Sequence, residues 1–174
     1  MKNKILVTAK PRTGKSTLIS KIVSELGINN CGGFYTEEIR VDGERTGFMI
    51  KTLDGKKGLL ASTNIISDIK VSRYGVDINT FEQLCLPSIE EALLNKKFII
   101  IDEIGPMQLY SEKYKELLMK VLKSDKTLIG TIFFDSHPWI DEFKKNNEIE
   151  LIELTMENRD NMVNEILTNL FETR

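Results

Sequence analysis

The segment ILVTAKPRTGKST, residues 5–17, restricts the fold of this chain more than any other stretch. The apolar run at 5–8 has strand character. From Lys15 onward, Leu18, Ile19, Ile22, Val23 and Leu26 fall on one face of a helix that Gly27 stops. Between them, residues 9–16 (AKPRTGKS) fit the phosphate-binding pattern GxxxxGK[ST], except that Ala9 stands at the first glycine position. A strand, a tight loop and a helix in that order aim backbone N–H groups and a helix N-terminus at one point, an arrangement suited to a polyphosphate. Ala9, Lys10, Pro11, Arg12, Thr13 and Gly14 then form the loop around the phosphates. Lys15 is placed to neutralise β- and γ-phosphate oxygens, the Ser16 hydroxyl to ligate magnesium, and Thr17 to open the helix beside the α-phosphate. The competing reading is a basic turn that merely caps a helix, with Lys15 in solvent.

A chain that begins this way belongs in an α/β sheet, and the later segments continue the alternation. Residues 33–40, 45–52 and 57–62 read as strands joined by turns at Asp42-Gly43 and Asp54-Gly55, two successive antiparallel hairpins. A helical pattern covers 79–95, with Pro87 a candidate interruption. The almost continuously apolar run at 98–101 suits a strand buried on both faces, as in a parallel sheet. A helix at 110–122, a strand at 127–134, a short helix at 139–145, a strand at 148–154 and a closing helix at 158–171 follow. The expectation is one domain over residues 1–174, an α/β sandwich with a mostly parallel central sheet and antiparallel hairpin additions.

The apolar strand at 98–101 runs into Asp102 and Glu103, two adjacent acids where a strand surfaces, as in a Walker B element. Ligands of open α/β sheets gather at that carboxyl end. Asp102 is expected to ligate magnesium or a water of its shell, and Glu103 to orient and polarise an attacking water. Acids at a strand end that only cap the next helix are the plain alternative. Gly105 and Pro106 read as a turn, with Gly105 close enough to a nucleotide to be a candidate contact.

Composition removes other classes. Lys and Arg total 24 against 26 Asp and Glu, a formal charge of −2, so no global basic field exists to hold a nucleic-acid backbone. Cys31 and Cys85 lack CxxC spacing and His137 is the one histidine, which leaves no Cys/His zinc site. No apolar run approaches the roughly 20 residues of a membrane helix. A strand follows MKNK directly, leaving no room for a signal peptide, and a cytoplasmic address is expected.

With the loop and the acid pair in place, the chain resembles the small nucleoside-triphosphatases of thermophiles and archaea, whose human relative is called cancer-related nucleoside-triphosphatase. The resemblance is carried by GFYTEEIR at 33–40, RTGF at 45–48, SRYGVD and FEQLCLP within 72–87, DEIGPMQL at 102–109, GTI at 130–132 and LTMENRD at 154–160. It implies a monomeric, RecA-like P-loop fold in three layers. It also implies magnesium-dependent hydrolysis of ATP, GTP and other nucleoside triphosphates with low base selectivity. The sequence departs from the family pattern at Ala9 and Arg12, where glycine is usual.

Several residues keep two readings. Thr36 and Glu38 share one strand face and Glu37 takes the other. They suit either a magnesium-bound water or acceptor, or a solvated strand edge with a cross-strand ion pair. Arg73 reads as an arginine finger or, more commonly, a surface arginine. Asn158 reads as the cap of the last helix, whereas Arg159 is open between a surface role and stacking on a purine. His137 reads as structural. Arg12 is expected at negative φ, its guanidinium on the γ-phosphate. Phosphoryl transfer to water leads; a kinase for a nucleotide or small metabolite and a slow nucleotide-dependent switch are the alternatives.

Overall fold

The computed structural model describes residues 2–172, in which nine strands form one sheet with helices on both faces. β1 (Lys4–Thr8) leads through the loop into α1 (Lys15–Leu26). β2 (Cys31–Val41), β3 (Glu44–Thr52) and β4 (Lys57–Ser62) form the two hairpins, and β5 (Lys70–Val71) with β6 (Tyr74–Val76) forms a third, smaller one. Then come α2 (Ile78–Asn95), β7 (Phe98–Ile104), α3 (Glu112–Lys123), β8 (Thr127–Ile132), α4 (Pro138–Lys144), β9 (Ile149–Glu153) and α5 (Arg159–Glu172).

The strands lie in the order β5-β6-β4-β3-β2-β7-β8-β1-β9. β2, β7, β8, β1 and β9 are parallel, and β3 to β6 add to them antiparallel, as expected. β8 stands between the phosphate-loop strand and the strand carrying the acids, the RecA-like order. Alternation along each strand divides the core in two. Leu6, Phe34, Ile50 and Ile101 pack with α2 and α3 on one face, while Ile5, Val7, Ile100 and Ile129 pack with α1 and α5 on the other. Asp102 has the parity of Ile100, so it belongs to the α1 face, the same side as the loop.

Three local expectations change. Pro87 does not interrupt α2: Phe81, Cys85, Ile89 and Ala92 are buried on both sides of it. Pro87 and Gln83, whose carbonyl loses its partner, are both exposed, so water can satisfy the vacancy while core packing keeps the helix continuous. β5 and β6 were not legible, because strands of two and three residues carry no measurable periodicity. Asn158 does not cap α5 from its side chain. Its Oδ1 accepts the Thr155 N–H at 2.8 Å while Thr155 Oγ1 accepts the Asn158 N–H at 3.2 Å. That reciprocal pair is a capping box one turn earlier. Among the described residues no helix is long and apolar enough to cross a membrane.

Candidate active site

β1 delivers the chain to the loop at its carboxyl end, where Ala9 is buried and Lys10, Pro11 and Arg12 are exposed. Thr13 turns inward, its Oγ1 donating to the Lys10 carbonyl at 2.8 Å and bracing the loop. Gly14 then takes φ +101°, a left-handed conformation that glycine adopts without a β-carbon penalty, and starts α1. No side chain caps α1 and no acid sits in its first turn. Its leading N–H groups and positive dipole end therefore face the loop interior, where an anion is stabilised.

Four sequence-predicted residues meet there. Lys15 Nζ lies 3.3 Å from Glu103 Oε2, and Ser16 Oγ donates to Asp102 Oδ2 at 3.2 Å. The peptide joining Asp102 and Glu103 is cis. Asp102 is only 4% exposed. Burial pushes its carboxyl up to about 6 from the usual 3.8, against the opposing pull of the Thr131 and Ser16 hydroxyls and Lys15, and with the Glu103 charge adding to the rise. The folded protein thus holds this proton more tightly than the unfolded chain. The group's contribution to stability is greatest below the usual carboxylate range and is lost as pH rises through about 6. Burial thus makes Asp102 harder to ionise than a solvated aspartate, a charge that a bound cation would offset.

Two partners of the acids were missed. Thr131 Oγ1 donates to Asp102 Oδ1 at 2.7 Å, entirely buried at the carboxyl end of β8. Its sequence signals are a hydroxyl near the end of an apolar strand and its place in the GTI string at 130–132. Tyr114 on α3 donates its hydroxyl to the Glu103 carbonyl at 3.2 Å. Its ring is wedged edge-on against Phe34 and Phe81, with centroids 6.3 and 4.9 Å away, so the backbone of the acid pair is tied to the core.

Other predicted residues divide. Gly105 is buried against Glu103 rather than in the loop: a β-carbon there would stand 2.7 Å from Glu103 Oε1. It makes room for the carboxylate. Arg159 reaches the loop, Nη1 lying 3.5 Å from the Thr13 carbonyl, and lines a cleft of about 250 Å³ with Gly14, Thr17, Lys21 and Leu154. A larger hollow of about 690 Å³ opens between the start of β2, the β3–β4 turn and α2, away from the loop, so size alone does not select the site. Arg73 is no finger. From the β5–β6 turn it binds Glu44 at 2.9 Å and the Arg45 carbonyl, with β4, β3 and β2 between it and β7. Glu37 pairs with Lys51 and Glu38 with Arg40 and Arg45, on opposite faces of β2. His137 precedes α4 with Nδ1 buried and unpartnered, and both cysteines are free and buried.

Arg12 departs from its expected conformation. It sits at φ +65°, where a β-carbon costs about 1 kcal/mol or more, because the loop must turn sharply before Gly14. Arg12→Gly is therefore expected to raise Tm by about 2–3 °C without weakening triphosphate binding. Calorimetry and parallel ATP and ADP titrations check this. A loss of affinity confined to the triphosphate would show that the guanidinium contact outweighs the backbone strain.

A sequence profile of a family described as NTPase matches residues 4–167. The nucleoside-triphosphatase THEP1 of Thermotoga sp. strain RQ2 is 45% identical over 167 residues, spanning 96% of this chain and 95% of that protein. The chain belongs to the NTPase family. Within it, the crystal structure of THEP1 from Aquifex aeolicus superposes with a TM-score of 0.88 at 40% identity, covering 97% of this chain and 99% of that one. The solution structure of a human cancer-related nucleoside triphosphatase superposes at 0.82 with 30% identity, covering 98% of each chain. The P-loop fold of this NTPase-family chain is thus shared along nearly its whole length. Among its described residues no group of three or more His, Cys, Asp or Glu is arranged to hold a metal by itself. Ser16 and Asp102 instead form a two-oxygen pair of the kind that holds magnesium together with phosphate oxygens and water.

Proposed function

We infer that this chain is a magnesium-dependent nucleoside triphosphatase that hydrolyses ATP, GTP and other nucleoside triphosphates to the diphosphate and phosphate. The observation that carries the reading is the convergence of Lys15 with Glu103 and of Ser16 with Asp102, residues 88 and 86 positions apart in sequence, at the mouth of one phosphate-binding loop. The relatives' name, nucleoside-triphosphatase, supports it.

The loop N–H groups and Lys15 bind the phosphates, and Ser16 and Asp102 would hold a magnesium ion, which would supply neutralising charge to them. Thr131 and Tyr114 keep the two acids oriented. Glu103, released from Lys15 once that ammonium turns to the phosphates, accepts a proton from water and aims its oxygen. In the cleft, Arg159 offers a planar guanidinium that stacks on any base, which suits several nucleotides.

The test is phosphate release from ATP, GTP, CTP and UTP with no acceptor added. Release is expected from each with magnesium and to be abolished by a chelator. Since magnesium requires ionised Asp102, kcat/KM is expected to fall as pH drops through about 6. Phosphate that leaves the nucleotide only when an alcohol or second nucleotide is present would make the protein a kinase instead.

A further inference from the structure

β2 and β3 carry the sheet past β7, and their side chains alternate between its faces. Phe34, Phe48 and Ile50 pack with the α2 and α3 side, whereas Tyr35 and Leu53 pack with the core beneath α1. Helix α2 covers β2, β3 and β4 on the first face; on the second, α1 reaches β2 and β8. Tyr35 and Glu37 on β2 and Lys51 on β3 therefore share the face of the phosphate loop. Tyr35 is paired directly with Lys51, and Lys51 Nζ lies 2.8 Å from Glu37 Oε2.

The register relates this row to the acids. Phe34 pairs with Ile101, so Tyr35 comes level with Asp102, and Glu37 follows two residues, about 7 Å, farther along. Across the sheet, the Arg159 cleft beside β9 and the Glu37–Lys51 row on β2 and β3 flank the strands carrying the loop and the acids from opposite sides. A nucleotide with its base in the cleft and its phosphates in the loop directs its γ-phosphate toward β7 and β2. The attacking oxygen must enter opposite the β,γ-bridging oxygen, and that is the β2 side.

Building on the hydrolase reading above, we propose that Glu37 is a second catalytic carboxylate that touches the attacking water from the β2 side, and that Lys51 is the positioning residue that holds it. The water oxygen bonds to Pγ as the bond from Pγ to the bridging oxygen breaks, and the leaving diphosphate keeps that electron pair. One water proton passes to Glu103 while the remaining O–H donates to Glu37. Glu38, on the opposite face and bound to Arg40 and Arg45 at 2.8 and 3.1 Å, takes no part.

The experiment compares Glu37→Gln, Lys51→Met, Lys51→Arg and Glu38→Gln by steady-state phosphate release with magnesium and ATP, and by binding of a non-hydrolysable ATP analogue. Glu37→Gln is expected to lower kcat by about 10- to 100-fold, with KM and analogue affinity changed less than about twofold. Lys51→Met should do the same to a smaller degree and Lys51→Arg should recover most of the rate, a rescue that mere structural support would not produce. Glu38→Gln should match the wild type. A hydrolytic wild type whose Glu37→Gln variant turns over at full rate, or falls no further than Glu38→Gln, overturns the assignment alone. A wild type that releases no phosphate overturns the hydrolase reading and the assignment with it.

Discussion

Lys15→Ala is expected to abolish measurable hydrolysis, lowering kcat/KM by about 10²- to 10³-fold or more, and to weaken triphosphate binding much more than diphosphate binding. Removing one preorganised donor from a site where charge develops costs about that much, and here two effects add. The ammonium that faces the β- and γ-phosphates is lost. Its partner Glu103, 3.3 Å away with a side chain 29% exposed, is left as an uncompensated negative charge beside the incoming polyanion. Lys15 belongs to a half-buried ion pair and not to the core, so the fold should survive, which circular dichroism verifies. Titration of ATP and ADP analogues, with a phosphate assay alongside, measures the effect. Hydrolysis at the wild-type rate would remove the loop from the reaction.

For Glu103→Gln the expectation is a split between catalysis and affinity. The amide keeps the size of the carboxylate, so the space left by Gly105 is filled as before, but it cannot accept a proton. A general base contributes typically 10²- to 10⁴-fold, so kcat should fall by at least about 10². Binding should hold or tighten, because in the free protein Lys15 is engaged with Glu103 and must be released to meet the phosphates. With glutamine in that position the lysine is no longer held by an opposite charge. Analogue binding and single-turnover hydrolysis on the same preparation separate the two quantities. Loss of affinity without loss of the chemical step would give the lysine-holding role to Glu103 and the proton-accepting role to another carboxylate.

Much of the fold was legible residue by residue. The two hairpins, their turns and the helices at 15–26 and 79–95 match the observed elements within two residues, because apolar period and turn chemistry act over a few neighbours. The strings that carry the loop and the acid pair stood out for the same reason: each is contiguous, and near neighbours set the strand, turn and helix around it. The misreadings share the opposite property. The backbone of Arg12 answers to the closure of the loop around Gly14, Pro87 is tolerated because a buried helix face outweighs one lost hydrogen bond, and Asn158 pairs with Thr155 in a capping box instead of capping the helix itself.

The sequence by itself determined that this chain has a strand, a tight loop of phosphate-binding pattern and a helix in that order, and a second strand ending in two acids. Period-two and 3.6-residue patterns and the fixed chemistry of Gly14, Lys15, Ser16, Asp102 and Glu103 are properties of neighbouring residues. Only the tertiary structure decided which distant residues complete the site. Insertion of β8 between β1 and β7 puts Thr131 against Asp102, packing of α3 lays Tyr114 under Glu103, and the far edge of the sheet carries Arg73 away. Alternation along β2 showed that Glu37 and Glu38 face apart, yet which of them faces the loop depends on which side α1 packs. That choice is made by burial of apolar surface over the whole sheet, an energy no short stretch of sequence contains.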